Sequence, residues 1–177
     1  MALKVTKVNV WAGDLRDVPG SLADVLGQLA AGGGSIEFLI ARRNDKSAGA
    51  GKVFVTPVEK PKAKDAAARA GLQNATHVAT LRIEGTDRPG LGGKITRAMA
   101  DAGINVRGVS AAVIVNKFVA YVGLDSDSDA DLAMRSLKGV NGAPKKRPTA
   151  RAGKSASRSS RKAMSATKSG SKPRSRR

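Results

Sequence analysis

The chain has 177 residues, 41% of them hydrophobic, and a formal net charge of +18. That length suits one domain or two small ones with a real core. There is no cysteine and a single histidine, His77, which excludes disulfide scaffolds, thiolate nucleophiles and Cys-ligated metals and argues against His-based metal clusters and triads.

In chain order, Val5 to Val10 alternates like a half-buried strand. A loop with Pro19 and Gly20 follows, then Leu22, Val25, Leu26 and Leu29 at helical spacing, ended by Gly32 to Gly34. Ser35 to Ala41 and Lys52 to Thr56 read as the two strands of a hairpin. The Ala-rich stretch from Lys62 to Ala70 has high helix propensity and stops at Gly71. The pattern then begins again. Val78 to Ile83 reads as a strand and Asp87 to Gly90 as a loop. Leu91, Ile95, Ala98, Met99 and Ala102 share a helical face, stopped by Gly103. Ile104 to Val115 reads as a long strand, Phe118 to Leu124 as its hairpin partner and Asp129 to Leu137 as a closing helix.

An offset of 70 residues superposes Pro19-Gly20 on Pro89-Gly90, Gly33 on Gly103 and Ile36 on Val106. Such an offset is too long for a solenoid repeat and suits two copies of a small α/β sandwich. No apolar strand follows Leu137, so the second copy is expected to lack a final strand. Ala75 to Glu84 is expected to form one continuous strand shared by both copies.

Asp87-Arg88-Pro89-Gly90-Leu91 after a strand, then an amphipathic helix, then Ala102-Gly103-Ile104-Asn105-Val106 opening the next strand, resembles the ACT domain. The first copy matches more loosely, through Asp17-Val18-Pro19-Gly20 and Gly34-Ser35-Ile36. Residues 4–138 thus resemble tandem-ACT amino-acid-binding regulatory proteins, with the C-terminal tail outside the resemblance. It implies an α+β fold of two tandem ferredoxin-like βαββαβ domains with antiparallel sheets set side by side. It also implies a free amino acid held between paired domains, and hence a homodimer. The expected divisions are 1–74, 75–140 and a disordered basic tail, 141–177.

Physical reasoning on the residues leads to the same loops. A Pro-Gly turn feeding into a helix leaves unpaired N–H groups in its first turn, and the helix dipole favours an anion there. Gly90, Gly92 and Gly93 weaken the helix but admit a close ligand. A plain turn packing helix onto strand would account for them too. In the first copy Ser21 is expected to cap the helix with Asp24 completing a capping-box-like pair, which consumes N–H groups and adds negative charge. The second copy has Lys94 and no acid in its first turn, and is expected to be the better half-site. The resemblance makes Asp87 and Asn105 ligand contacts, with Ser35 at the asparagine position of the first copy. The candidate ligand-binding set is Asp87, Arg88, Pro89, Gly90, Leu91 and Asn105, with Asp17, Pro19 and Gly20 in the first copy.

Other motifs carry less. Asp125, Asp127, Asp129 and Asp131 begin like a calcium loop, but Ala130 stands where Gly is needed and Ser136 where a bidentate Glu is needed. They read as an acidic turn capping the helix that follows. Gly51-Lys52 and Gly93-Lys94 lack the rest of a phosphate loop. His77 and Trp11 read as structural. No nucleophile-plus-base set can be assembled, so neither an enzyme nor a metal or cofactor is expected.

From Ala143 to Arg177 there are 6 Lys and 7 Arg and no acid, whereas residues 1–142 hold 19 Lys/Arg and 14 Asp/Glu. With Met164 as its one sizeable apolar side chain, the tail cannot offset its chain entropy by burial. Lys145, Lys146, Arg147, Arg151, Lys154, Arg158, Arg161 and Lys162 are expected to attract nucleic acid without sequence preference. The longest apolar run, Val109 to Val115, is too short to span a membrane, and the N-terminus has no signal-like apolar block. The sequence therefore points to a cytoplasmic, non-catalytic amino-acid-binding regulatory protein. The competing reading is a nucleic-acid-associated protein that uses the ACT pair as a dimerising body.

Overall fold

The computed structural model describes residues 3–43 and 49–140. The elements in order are β1 (Lys4–Val8), β2 (Trp11–Arg16), α1 (Ser21–Ala31), β3 (Phe38–Arg43), β4 (Ala50–Thr56), α2 (Pro61–Arg69) and β5 (Gln73–Asn74). They continue with β6 (Ala79–Thr86), α3 (Leu91–Asp101), β7 (Gly108–Ile114), β8 (Lys117–Leu124) and α4 (Asp127–Leu137). Two four-stranded antiparallel sheets result, ordered β3-β4-β2-β5 and β7-β8-β6-β1. Both have the ferredoxin-like arrangement expected from the repeat.

The first strand is where the expectation fails. β1 does not open the first half but pairs antiparallel with β6, from Lys4 opposite Glu84 to Val8 opposite Thr80. It supplies the final strand that the residues after Leu137 do not provide. The division at residues 74 and 75 thus leaves residues 4–8 on the wrong side of the line. The first half opens instead on β2, whose six residues WAGDLR lack apolar alternation because Gly13 takes an inward position. A Cβ there would lie 2.7 Å from the Gly71 carbonyl oxygen. Ala75 to Glu84 is likewise not one strand: β5 ends at Asn74 and β6 begins at Ala79. The long strand expected from Ile104 begins only at Gly108, and Ile104 is buried in the second core instead.

Each sheet packs its helices on one face. Leu81 and Ile83 of β6 meet Leu91, Ile95 and Met99 of α3 and Leu137 of α4, all at most 5% exposed. The first core is smaller, with Val53 and Val55 under Val25 and Leu29, and the alanines Ala63 and Ala67 of α2. Small residues let α1 and α2 approach closely: a Cβ on Gly32 would lie 2.6 Å from the Ala66 Cβ and 2.8 Å from the Lys62 carbonyl oxygen. Trp11 packs against this core, in keeping with a structural role. Ser126 caps α4, its hydroxyl accepting from the Asp129 N–H at 3.1 Å, as the acidic turn suggested. Lys7 of β1 reaches Asp131 at 2.9 Å and Asp127 at 3.5 Å; the hydrogen bond to Asp131 leads in raising its ammonium pKa above the usual value. Among the described residues no helix is long and apolar enough to cross a membrane, and no cluster of metal-binding side chains occurs.

Candidate functional site

β6 ends at Thr86 and the chain turns sharply into α3. The Asp87 N–H donates to the Asn116 carbonyl at 3.0 Å, fixing the loop against the β7–β8 hairpin. Gly90 is the N-cap, with φ 80° in the left-handed region that favours glycine. The Leu91 N–H donates back to Arg88 at 3.0 Å, and Lys94 makes the first intrahelical bond to Gly90. The Leu91 side chain is buried in the core. Of the first-turn N–H groups expected to be unpaired, one is therefore already occupied. Leu91 is used, and Gly92 and Gly93 are the open donors of the first turn. Arg88, Pro89 and Gly90 are exposed, and Asp87 is half-buried with no ion pair among the described residues.

The first copy has the same turn with different chemistry. Gly20, at φ 91°, is the N-cap of α1, and no side chain caps it. The Ser21–Asp24 box does not form. Ser21 is the first helical residue, 7% exposed, with an unpartnered buried hydroxyl; it occupies the position of the core residue Leu91. The Asp17 carboxylate is held by Arg43 at 3.0 Å, and Asp24 brings negative charge to the first turn. Both features disfavour an amino acid there, Asp17 being occupied and Asp24 repelling a carboxylate. Pro19 and Gly20 are exposed.

Asn105 stands apart. Gly108 lies opposite Gly123, and Ile114 opposite Lys117; on the other side of β8, Thr80 lies opposite Gly123 and Thr86 opposite Lys117. β6 and β7 are thus parallel, with Asn105 beyond the starting end of β7 and Asp87 beyond the finishing end of β6. Roughly 20 Å of strand separates the two ends. One half cannot place Asp87 and Asn105 on the same small ligand. Seeing this needed the strand order, which no local motif carries.

β7 forms an edge of its sheet, and its exposure continues into the turn. Val109 and Val113 are half-exposed, Ile114 more so, and Val115 fully. Val115 also has φ 59°, a strained conformation for a β-branched residue. The expected nucleic-acid-binding residues, Lys145 to Lys162, lie outside the described residues.

Residues 79–138 match the model of the ACT domain family, so an ACT domain is found in the second half. The matched stretch runs from β6 into the end of α4; β1, which completes the sheet, lies outside it. Protein BT0572 from Bacteroides thetaiotaomicron superposes with a TM-score of 0.63 at 14% identity, over 74% of this chain and 88% of its own. The ligand-free regulatory subunit of aspartate kinase from Thermus thermophilus superposes with a TM-score of 0.56 at 19% identity, over 79% and 95%. A structure of aspartokinase alpha and beta subunits gives 0.54 at 16%, over 79% and 97%. At these identities the likeness is one of fold. No curated protein matches the chain in sequence.

Proposed function

We propose that the protein is a non-catalytic regulatory protein that binds a small free amino acid between the ACT domains of two copies. The observation that carries this reading is the split of the candidate site between opposite ends of one sheet whose edge strand, β7, is exposed. A second copy pairing its β7 antiparallel to the first would bring the start of one strand beside the end of the other. Asp87 to Gly93 of one copy would then face Asn105 of the other. The strand is suited to this pairing: Gly108–Ile114 carries no charge, and an apolar unpaired edge invites another strand.

In such a site the ligand carboxylate lies on the Gly92 and Gly93 N–H groups, where the helix dipole concentrates positive charge. Asp87 takes the ammonium and Asn105 adds an amide. The ACT match and the fold shared with an aspartate kinase regulatory subunit support a regulatory role. A thermal-shift screen of the natural amino acids on the full chain, followed by calorimetry, tests the reading, since a ligand of the native state raises its stability. One amino acid, or a related few, should raise Tm, and Asp87→Ala and Asn105→Ala should each weaken binding. If none raises Tm, the reading is wrong.

A further inference from the structure

We propose that the cleft between the outer faces of the two sheets is a second binding site, one for a monocarboxylate with an aromatic or branched apolar body. The helices cover one face of each sheet, and the opposite faces meet around a cavity of about 430 Å³. Phe38, Ile40 and Phe54 come from the first sheet and Tyr121 from the second. Phe38 and Tyr121 stack on one another and close one end, Ile40, Phe54 and Val109 make the rest of the lining apolar, and the volume lies in the range of small-molecule sites.

The floor is bare. Gly108 and Gly123 sit directly opposite one another on β7 and β8, and a Cβ on Gly108 would meet nothing within 4 Å. The corresponding pair in the first sheet is Phe38 opposite Thr56. The second copy therefore lacks side chains where the first places them; Val78 fills the space over Gly123, and the room left for another molecule lies over Gly108.

The charge is one-sided. Arg42 and Arg107 line the cleft, and no Asp or Glu does. Arg42 has no ion pair among the described residues. Arg107 reaches Asp125 only at 3.7 Å and donates to the His77 carbonyl at 3.2 Å. Guanidinium groups pair well with a carboxylate. An ammonium would find no carboxylate in the cleft, so the site selects an aryl or branched acid, such as a 2-oxo acid, over an amino acid. This goes beyond the amino-acid reading and does not depend on it.

The test is a titration of the isotope-labelled full chain, followed by NMR, with phenylacetate, its neutral analogue phenylacetamide, and L-phenylalanine. Phenylacetate should shift the amides of Gly108, Ser110 and Gly123. Arg42→Gln and Gly108→Leu should each weaken it about tenfold or more, the first by removing a charged partner and the second by filling the floor. Arg42 is exposed, so its variant should keep the native spectrum. Equal binding of phenylacetamide or L-phenylalanine in the cleft, unchanged affinity in Arg42→Gln, or shifts confined to residues 87–93 would each overturn the proposal. The amino-acid site is read separately, from the Gly92 and Gly93 amides of the native chain and of Arg42→Gln, since Gly108 lies on the β7 edge that would join two copies.

Discussion

Phe38 of the first sheet and Tyr121 of the second stack with ring centroids 3.9 Å apart and planes 17° apart. Beside them Arg82 of β6 donates to Glu37 at 2.5 Å and to Glu84 at 2.9 Å. The two halves are therefore joined by a ring pair and an ion pair. Phe38→Ala should destabilise the protein by on the order of 2 kcal/mol, less than a fully buried phenylalanine would, as its ring is half-buried. Urea unfolding with unchanged m-value checks this.

Tyr121 is the only tyrosine, so its ionisation can be read alone from tyrosinate absorbance. Burial raises its pKa above the ordinary value near 10; Arg82 opposes this and Glu37 and Glu84 add to it. The folded state holds the phenolic proton more tightly than the unfolded chain. Its contribution to stability is fully present below the unfolded pKa and is lost as pH rises through the folded one. Tyr121→Phe should flatten that alkaline decline, measured by urea midpoints across the range.

Gly32→Ala should destabilise by roughly 1–3 kcal/mol, although φ −77° at this position is a conformation that alanine adopts freely. The cause is steric, the new Cβ meeting Ala66 and the Lys62 carbonyl. Gly33→Ala, at φ 73° with open space around its Cβ position, should lose stability through backbone strain instead. Adding Ala66→Gly should restore part of the loss in the Gly32 variant and none in the Gly33 variant.

If the amino-acid site spans two copies, Asp87→Ala chains mixed with Asn105→Ala chains should recover binding that neither has alone. Each mixed dimer regenerates one intact site and leaves one doubly altered. Calorimetry should show near-native affinity at reduced stoichiometry. No recovery after subunit exchange would place both residues outside a shared site.

Deleting residues 1–8 should destabilise the second half more than the first, because β6 loses one of its two neighbours and becomes an edge. Hydrogen exchange should quicken in Ala79–Thr86 before it does in Ala50–Thr56.

Deleting residues 143–177 should remove most affinity for DNA or RNA and most of its salt dependence, since thirteen cations and no acids lie there. Fluorescence anisotropy at two salt concentrations checks it. Amino-acid binding should survive.

Local chemistry was legible in the residues. Leu91, Ile95 and Met99 announced α3 and its buried face, and the Pro-Gly pairs marked both helix starts. Pairing was less so. The alternation from Val5 says which side of a strand is apolar but not which sheet receives it, so β1 was misplaced. Ser21 looked like a cap because its type suits one; Gly20 holds that position through a left-handed turn. The distance between Asp87 and Asn105 follows from strand direction alone, and the cleft from two outer faces whose residues show no shared pattern.

The chain crosses between the sheets twice, at Asn9–Val10 and again at Ala75–Val78, and the two crossings are bonded to each other, the Ala75 N–H donating to the Val10 carbonyl at 2.8 Å. The Thr56 hydroxyl also donates to the Asn9 carbonyl at 2.8 Å. Two straps fastened side by side act as a hinge with a fixed axis. They resist twist and slide, and opening the halves about them must also part the Phe38–Tyr121 stack and the Arg82–Glu37 ion pair. A molecule lodged between the halves would wedge that hinge, and one bound at the far edge could be felt across it only as a change of angle.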